Sequence, residues 1–247
     1  MATLTPTLTV KQPKSRHGGG DVPHYPGGGG GGGRGDDSPD YGEHLRRCRL
    51  GLAVGIAPIV MLFVAFSSAY LVRQGLASWD LRTNSYINDW APVHLPVLLL
   101  VVNTCFLLVS SLTMEFARRQ AAQAAAIAPI TAMPGIAADE QHNVPWLGIT
   151  VALGLGFLAG QVLAWRQMEA HGIFLSSNPS SSFFYLLTGM HALHLAGGVV
   201  ALLYATATVW LKRPPESRSV VIDVTAWYWH FMALLWLYIF ALLEIAH

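Results

Sequence analysis

Three histidines lie in long apolar stretches of the sequence, where an ionisable side chain is costly and is therefore a candidate for function. His191 and His194 are three residues apart and would share one helix face, and His230 lies in the next apolar stretch. Three imidazoles could hold copper or zinc, and His191 paired with His230 could ligate a b-type haem. We favour neutral histidines that bond to backbone, lipid headgroups or another subunit, because no Cys, Met or carboxylate accompanies them at an obvious spacing.

The rest of the sequence offers little further chemistry. It contains no intramembrane series of Asp or Glu residues, no phosphate loop, no GxSxG and no HExxH. Glu115 and Glu244 close their apolar stretches and are expected to be solvated near the headgroups. The residues alone predict a non-catalytic membrane subunit with no metal or cofactor of its own. The net charge of +1 also argues against nucleic acid as a partner.

Charge is absent from five long windows of the chain. Of the 247 residues, 53% are hydrophobic and 12% are charged, about half the charge of a soluble domain. A membrane-spanning helix needs about 20 apolar residues, and each window is long enough. The sequence predicts an all-α, polytopic membrane protein with five transmembrane helices, at about residues 50–72, 90–114, 143–165, 183–211 and 224–243.

Basic residues are concentrated on one side of these helices. Twelve of the 15 Lys and Arg residues fall before the first helix or in the second and fourth loops, and three fall on the other side. The positive-inside rule then predicts a cytoplasmic N-terminus and an external, periplasmic C-terminus. Half of the 24 glycines lie in the first 42 residues, which predicts a disordered, glycine-rich cytoplasmic tail over residues 1–44 before a transmembrane domain over 45–247.

The third helix carries small residues at every fourth position: Gly148, Ala152, Gly156 and Gly160. Small residues at this spacing let helix backbones approach closely in a membrane. We expect this stripe to pack against another helix of the chain or against a partner subunit.

Two segments resemble subunit III of the haem–copper oxidases. Ser181 to Gly198 contains the family pattern TGxHxxHxxxG, and Ala226 to Phe240 resembles the pattern WYWHFVDxVWxxL of the last helix. The resemblance covers about residues 45 to 247. It implies a subunit of a bacterial inner-membrane cytochrome c oxidase, which reduces O2 to water and stores the energy as a proton gradient.

In that family, subunit III is not catalytic: haem and copper belong to partner subunits I and II, and cytochrome c donates electrons to the complex. Subunit III packs against subunit I, binds membrane phospholipid and sustains proton uptake. We expect His191, His194 and His230 to serve packing or lipid contact and not catalysis. Together with Trp229, they are the side chains predicted to contact lipid or another subunit. Subunit III of a quinol oxidase is the nearest alternative, and a b-haem membrane anchor or a small transporter is a more distant one.

The sequence departs from the family in three ways. The longest members have seven spans, and the first two, which form one wall of the lipid cleft, are not found here. Ile59 stands where many members carry an intramembrane Glu. Met232 and Ala233 replace the Val-Asp pair of the last helix. Roles that depend on these carboxylates are therefore not expected in this chain.

The predicted orientation can be tested with reporter fusions. A reporter that is active only outside the cytoplasm should work when fused after His247 and should be inactive when fused to the N-terminus. The reason is that the side of the membrane with twelve of the 15 basic residues is expected to be cytoplasmic. The reverse pattern of reporter activity would contradict the orientation.

Overall fold

The computed structural model describes residues 41–76, 78–80, 84–87, 96–131, 146–175 and 178–245. Residues 1–40, with most of the predicted tail, lie outside the described residues, as does His94. The helices are α1 (Tyr41–Gly75), α2 (Val97–Thr131), α3 (Trp146–Ala170), α4 (Pro179–Trp210) and α5 (Pro215–Ile245). Within the described ranges, five helices are long and apolar enough to cross a membrane. The prediction of an all-α, five-helix membrane protein is confirmed.

Two short strands lie between α1 and α2. Strand β1 (Ser78–Asp80) pairs antiparallel with β2 (Ser85–Ile87). The sequence did not predict them, since three residues are too few to show the two-residue period of a strand.

Most helices extend beyond the uncharged windows that predicted them. The 35 residues of α1 span about 52 Å, whereas the hydrocarbon core is about 30 Å thick. Absence of charge therefore marks the membrane-embedded part of a helix and not its ends. In α1 the helix begins at Tyr41, inside the segment predicted as tail, and its first turns carry an Arg47–Glu43 ion pair of 3.0 Å.

Helix α4 begins four residues before the predicted Phe183, inside a segment that reads as a loop. Pro179 occupies the start of the helix, where its fixed φ suits the helix and its missing N–H leaves no unpaired donor. The backbone N–H of Asn178 donates to the Ser181 hydroxyl at 3.1 Å. This local capping explains why the Ser-rich segment is helical.

The interior is formed by α2, α3, α4 and α5, which pack around two fully buried indoles. The Nε1–H of Trp229 donates to the Ser110 hydroxyl at 3.1 Å, and that of Trp236 donates to the Thr104 hydroxyl at 2.9 Å. Each indole thus brings a large apolar surface into the core and satisfies its donor across the α2–α5 interface. Hydrogen bonds of this kind hold helices together where lipid is as apolar as the side chains.

Helix α1 lies at the edge of this bundle, against α4 and α5. Only 11% of its most apolar 18-residue window is buried, compared with 39% in each of the other helices. Phe63 and Tyr70 are buried, but Val54, Met61 and Val64 are exposed. Most of α1 is therefore available to lipid or to another protein.

The small-residue stripe of α3 is only partly a packing surface of this chain. Gly148 and Ala152 are exposed, and a Cβ on Gly156 would come no closer than 3.9 Å, to Phe106. Gly148 and Ala152 are thus not buried by the other described helices, and their packing against a partner subunit stays a prediction. Gly160 lies in close contact within the chain, since a Cβ there would overlap the Asn103 amide.

The other close approaches involve glycines outside the stripe. A Cβ on Gly154 would meet the Trp229 ring at 2.8 Å, and one on Gly198 would lie 3.0 Å from Tyr228. The four-residue spacing did not identify Gly154, because this glycine lies on a different face of α3 from the stripe and faces Trp229 of α5.

Replacing Gly154 with alanine should destabilise the bundle by about 1–3 kcal/mol, because a rigid buried indole has no room to move away. The matched control is Gly51→Ala in α1, where nothing lies within 4 Å of the new methyl group; it should be neutral or stabilising by up to about 1 kcal/mol. Thermal unfolding of both variants in mild detergent measures the difference. Equal unfolding temperatures would contradict the packing at Gly154.

Candidate functional site

His191 lies inside the bundle with 0% of its surface exposed. Its ring is 5.2 Å from that of Trp236 between centroids, and it makes a T-shaped contact with Phe157 at 5.9 Å. Within the chain the His191 side chain is enclosed by other helices, which agrees with a packing role. The Trp229 side chain is fully buried as well.

His194 is partly exposed and lies where α1, α4 and α5 meet. Its Nδ1 donates to the Met190 carbonyl at 2.7 Å, and its ring makes a T-shaped contact with Phe63 of α1 at 6.0 Å. The Tyr228 hydroxyl donates to the His194 carbonyl at 3.0 Å. His194 thus belongs to the contact between α1 and the rest of the bundle, and its exposed side leaves a lipid contact open.

His230 faces α2, away from His191. Its Nδ1 lies 2.6 Å from the Ser111 hydroxyl, and its Nε2 lies 3.5 Å from a carboxylate oxygen of Glu115. The side chain is partly exposed. His230 thereby connects the core to a group of charged residues.

Glu115 is held by two guanidinium groups. Arg118 donates to both of its oxygens, at 2.8 and 2.9 Å, and Arg119 donates to one of them at 2.8 Å. Only 23% of the Glu115 side chain is exposed. The expectation that Glu115 is simply solvated is wrong, because neighbouring cations on its own helix replace most of the water.

Asp223 accepts hydrogen bonds from two other helices. Arg49 of α1 donates to both carboxylate oxygens at 2.8 Å, and Arg118 of α2 donates to one of them at 3.2 Å. The Asp223 side chain is 9% exposed, whereas that of Arg49 is 43% exposed and also lies 5.8 Å from the centroid of the Trp227 ring. Such paired, charge-assisted bonds are stronger than ordinary hydrogen bonds.

These contacts form one group, which we call the ionic cluster: Arg49, Glu115, Arg118, Arg119, Asp223 and His230. Three arginines and two carboxylates leave a charge of about +1 with His230 neutral. The cluster joins the first third of α1, the second half of α2 and the first half of α5. The distribution of basic residues predicts that these parts of the helices lie toward the same side of the membrane.

The ionic cluster does not have the composition of a metal centre. In the part of the chain that the structure describes, no three His, Cys, Asp or Glu side chains are close enough together to hold a metal ion. His191 and His230 also do not face a common space, since one is enclosed by Phe157 and Trp236 and the other bonds to Ser111. This arrangement does not favour a b-type haem between them.

The family model described as "Cytochrome c oxidase subunit III" matches residues 40–245. The chain belongs to the cytochrome c oxidase subunit III family. The match covers all five helices, and the resemblance of the two histidine motifs to this family is confirmed.

Individual relatives agree with this membership of the subunit III family. "Cytochrome c oxidase subunit 3" of Synechocystis sp. is 31% identical over 192 residues, which cover 74% of this chain and 72% of the relative. The protein of the same name from Thermostichus vulcanus is 27% identical over 203 residues, covering 79% and 86%. "Probable cytochrome c oxidase subunit 3" of Mycobacterium tuberculosis is 30% identical over 117 residues, covering 46% and 58%. The match with the mycobacterial protein therefore spans less than two thirds of that relative.

The sequence pattern of histidines within the membrane did not predict the Arg49–Asp223 pair at the centre of the ionic cluster. In the sequence, Asp223 only precedes the last apolar window, and Arg49 is only one of the twelve basic residues on the predicted cytoplasmic side. A usable signal was present, because one carboxylate and one guanidinium stand at helix ends predicted to lie on the same side. No spacing rule, however, identifies partners 174 residues apart.

The variant Asp223→Asn should destabilise the bundle by about 2 kcal/mol, because it leaves two guanidinium groups without their charged acceptor. Glu43→Gln is the matched control: it also removes one negative charge, but from an exposed pair within α1, and should change stability by less than about 0.5 kcal/mol. Unfolding in detergent with each variant measures both effects. If the two variants lose the same stability, Asp223 does not join the helices as described.

Proposed function

We propose that this chain is the non-catalytic subunit III of a respiratory haem–copper terminal oxidase, a cytochrome c oxidase. In this role it stabilises the catalytic subunit, retains phospholipid and supports proton uptake while O2 is reduced to water. The observation that carries the proposal is the family match over residues 40–245, which includes both histidine motifs. The names of the relatives support the cytochrome c assignment over a quinol oxidase.

The geometry supports a role in binding lipid or other subunits and not in catalysis. The interior is filled by indoles, aliphatic side chains and the His191 ring, and the inter-helix hydrogen bonds described above satisfy its hydroxyl and indole groups. The surface of α1, in contrast, is apolar and largely exposed along the helix. An exposed apolar face of this length suits packing against lipid acyl chains or another membrane subunit.

The partners follow from this proposal. Subunits I and II would hold the haem and copper, this chain would pack beside them, and cytochrome c would donate electrons to the complex. The complex would lie in the bacterial inner membrane with the ionic cluster on the cytoplasmic side, from which protons are taken up. The partly exposed Glu115 and His230 would then be in contact with the water that supplies those protons.

Deleting this chain should leave the haem spectra and the initial oxidase rate largely intact, because the redox centres belong to other subunits. Activity should instead decay over fewer turnovers, since slower proton delivery prolongs damaging oxygen intermediates. Oxygen consumption followed from the first turnovers to inactivation measures both quantities. Restoring the full chain should restore the lifetime.

Two results would contradict the proposal. Immediate loss of all activity in a fully haem-loaded catalytic subunit would show a direct chemical role for this chain. An unchanged rate together with an unchanged lifetime would show that it has no supporting role. A separate result bears only on the electron donor: if the chain co-purifies with a complex that oxidises quinol and not cytochrome c, the donor assignment is wrong.

A further inference from the structure

Two polar side chains in the centre of the bundle have no hydrogen-bond partner within the described part of the chain. They are Gln161 of α3 and His191 of α4, and the atoms concerned are Gln161 Nε2 and Oε1 and His191 Nδ1 and Nε2. Gln161 is 1% exposed and His191 is 0% exposed. The other buried polar groups described above, on Ser110, Thr104 and Asp223, all have partners. Gln161 and His191 are therefore exceptions in a core that is otherwise well satisfied.

Such exceptions require an explanation. A buried polar group that lacks a hydrogen bond destabilises the folded state, and bulk water does not reach it at hydrocarbon depth. Nearly all buried polar groups in native proteins bond either to protein or to an ordered water molecule. Neither side chain bonds to the other in this structure.

The helix contacts on either side place Gln161 close to His191. Phe157 of α3 contacts His191 of α4. Further along the same interface, the Nε1–H of Trp165 donates to the Thr188 hydroxyl at 3.1 Å. Gln161 lies four residues from both Phe157 and Trp165, which is about 6 Å along the helix axis in either direction. It therefore faces the turn of α4 that runs from Thr188 to His191.

One bridging water molecule can join two polar side chains that face each other across a helix interface. Two hydrogen bonds of about 2.8 Å through a shared water join groups that are about 5–6 Å apart. The chemistry is also complementary. An amide offers two donors and an acceptor oxygen, a neutral imidazole offers one of each, and water donates twice and accepts twice.

We propose that Gln161 and His191 together bind a buried water molecule between α3 and α4. The water bonds to the Gln161 amide on one side and to an imidazole nitrogen on the other. It satisfies polar groups that have no protein partner, and it fixes the His191 ring between Phe157 and Trp236. Water is the ligand that fits, because it is small and can donate to and accept from both side chains at once. Leu187 and Leu195, each four residues from His191 on α4, are apolar and fully buried, so they offer no competing polar group. The site stands whether or not the oxidase assignment is correct.

The direct test is a cryo-EM structure of the unmodified protein, in its complex, at a resolution that shows ordered water. We expect a density peak the size of one water within about 3.2 Å of both Gln161 and His191. A direct hydrogen bond between the two side chains, an interface without a peak, or density for a larger ligand would each overturn the proposal.

A double-mutant cycle on the full chain provides a second test. Gln161→Met and His191→Phe each remove one partner and should each lower the folding equilibrium constant severalfold, because the remaining side chain loses its bridge. The double variant should lose less than the product of the two factors, since no polar group is left unpaired. Independent, multiplicative effects would overturn the shared water.

The control for this cycle pairs His191→Phe with Thr206→Val. The Thr206 hydroxyl donates to the Leu202 carbonyl of its own helix at 2.9 Å, and it lies about 22 Å along α4 from His191. These two changes should combine multiplicatively. If the variants fail to fold, the structure of the unmodified protein still decides the proposal.

Discussion

The two hydrogen bonds that Asp223 of α5 accepts from Arg49 hold α1 against the bundle, and a third, from Arg118 of α2, fixes Asp223 itself. Between apolar helices in a membrane there is little hydrophobic drive, because lipid chains are as apolar as the side chains they replace. Helix α1 has the smallest buried share of the five helices, so its position depends strongly on polar and ionic contacts. The cluster supplies these at the start of α1, and the contact of Phe63 with His194 supplies an anchor further along the helix. The position of α1 in turn sets which apolar surface the chain exposes at that edge of the bundle.

The other four helices are held by a different balance of forces. Their interface combines large buried indoles with small hydroxyl acceptors, and glycines at 154 and 198 give the Trp229 ring its space. Asn103 contributes in the same way, since its amide donates to the Phe157 carbonyl at 3.1 Å while it packs against Gly160. Close packing and hydrogen bonding therefore occur at the same positions of these four helices.

The sequence predicts the number and type of helices well, because a window without charge is a direct physical requirement of hydrocarbon. The family also follows from the residues themselves, as TGMHALHLAGG and AWYWHF carry its pattern. The sequence predicts less about direction. It does not show that His191 faces inward and His230 faces α2, or that Gly154 and not Gly148 lies under an indole. These depend on how each helix is rotated about its axis, which is set by partners far away in sequence.

The unequal lengths of the helices give one face of the bundle an uneven height. Helix α2 continues 16 residues beyond Glu115, the charge at which its apolar window ends, to Thr131, a distance of about 24 Å. Helix α1 begins nine residues before Leu50, about 14 Å from its own apolar window. Helix α5 likewise begins nine residues before its own apolar window at Val224, so three helix ends extend beyond the apolar windows on the side of the ionic cluster. A water-soluble domain that docks onto the described helices from that side would meet three ends that extend by different lengths, the longest being that of α2.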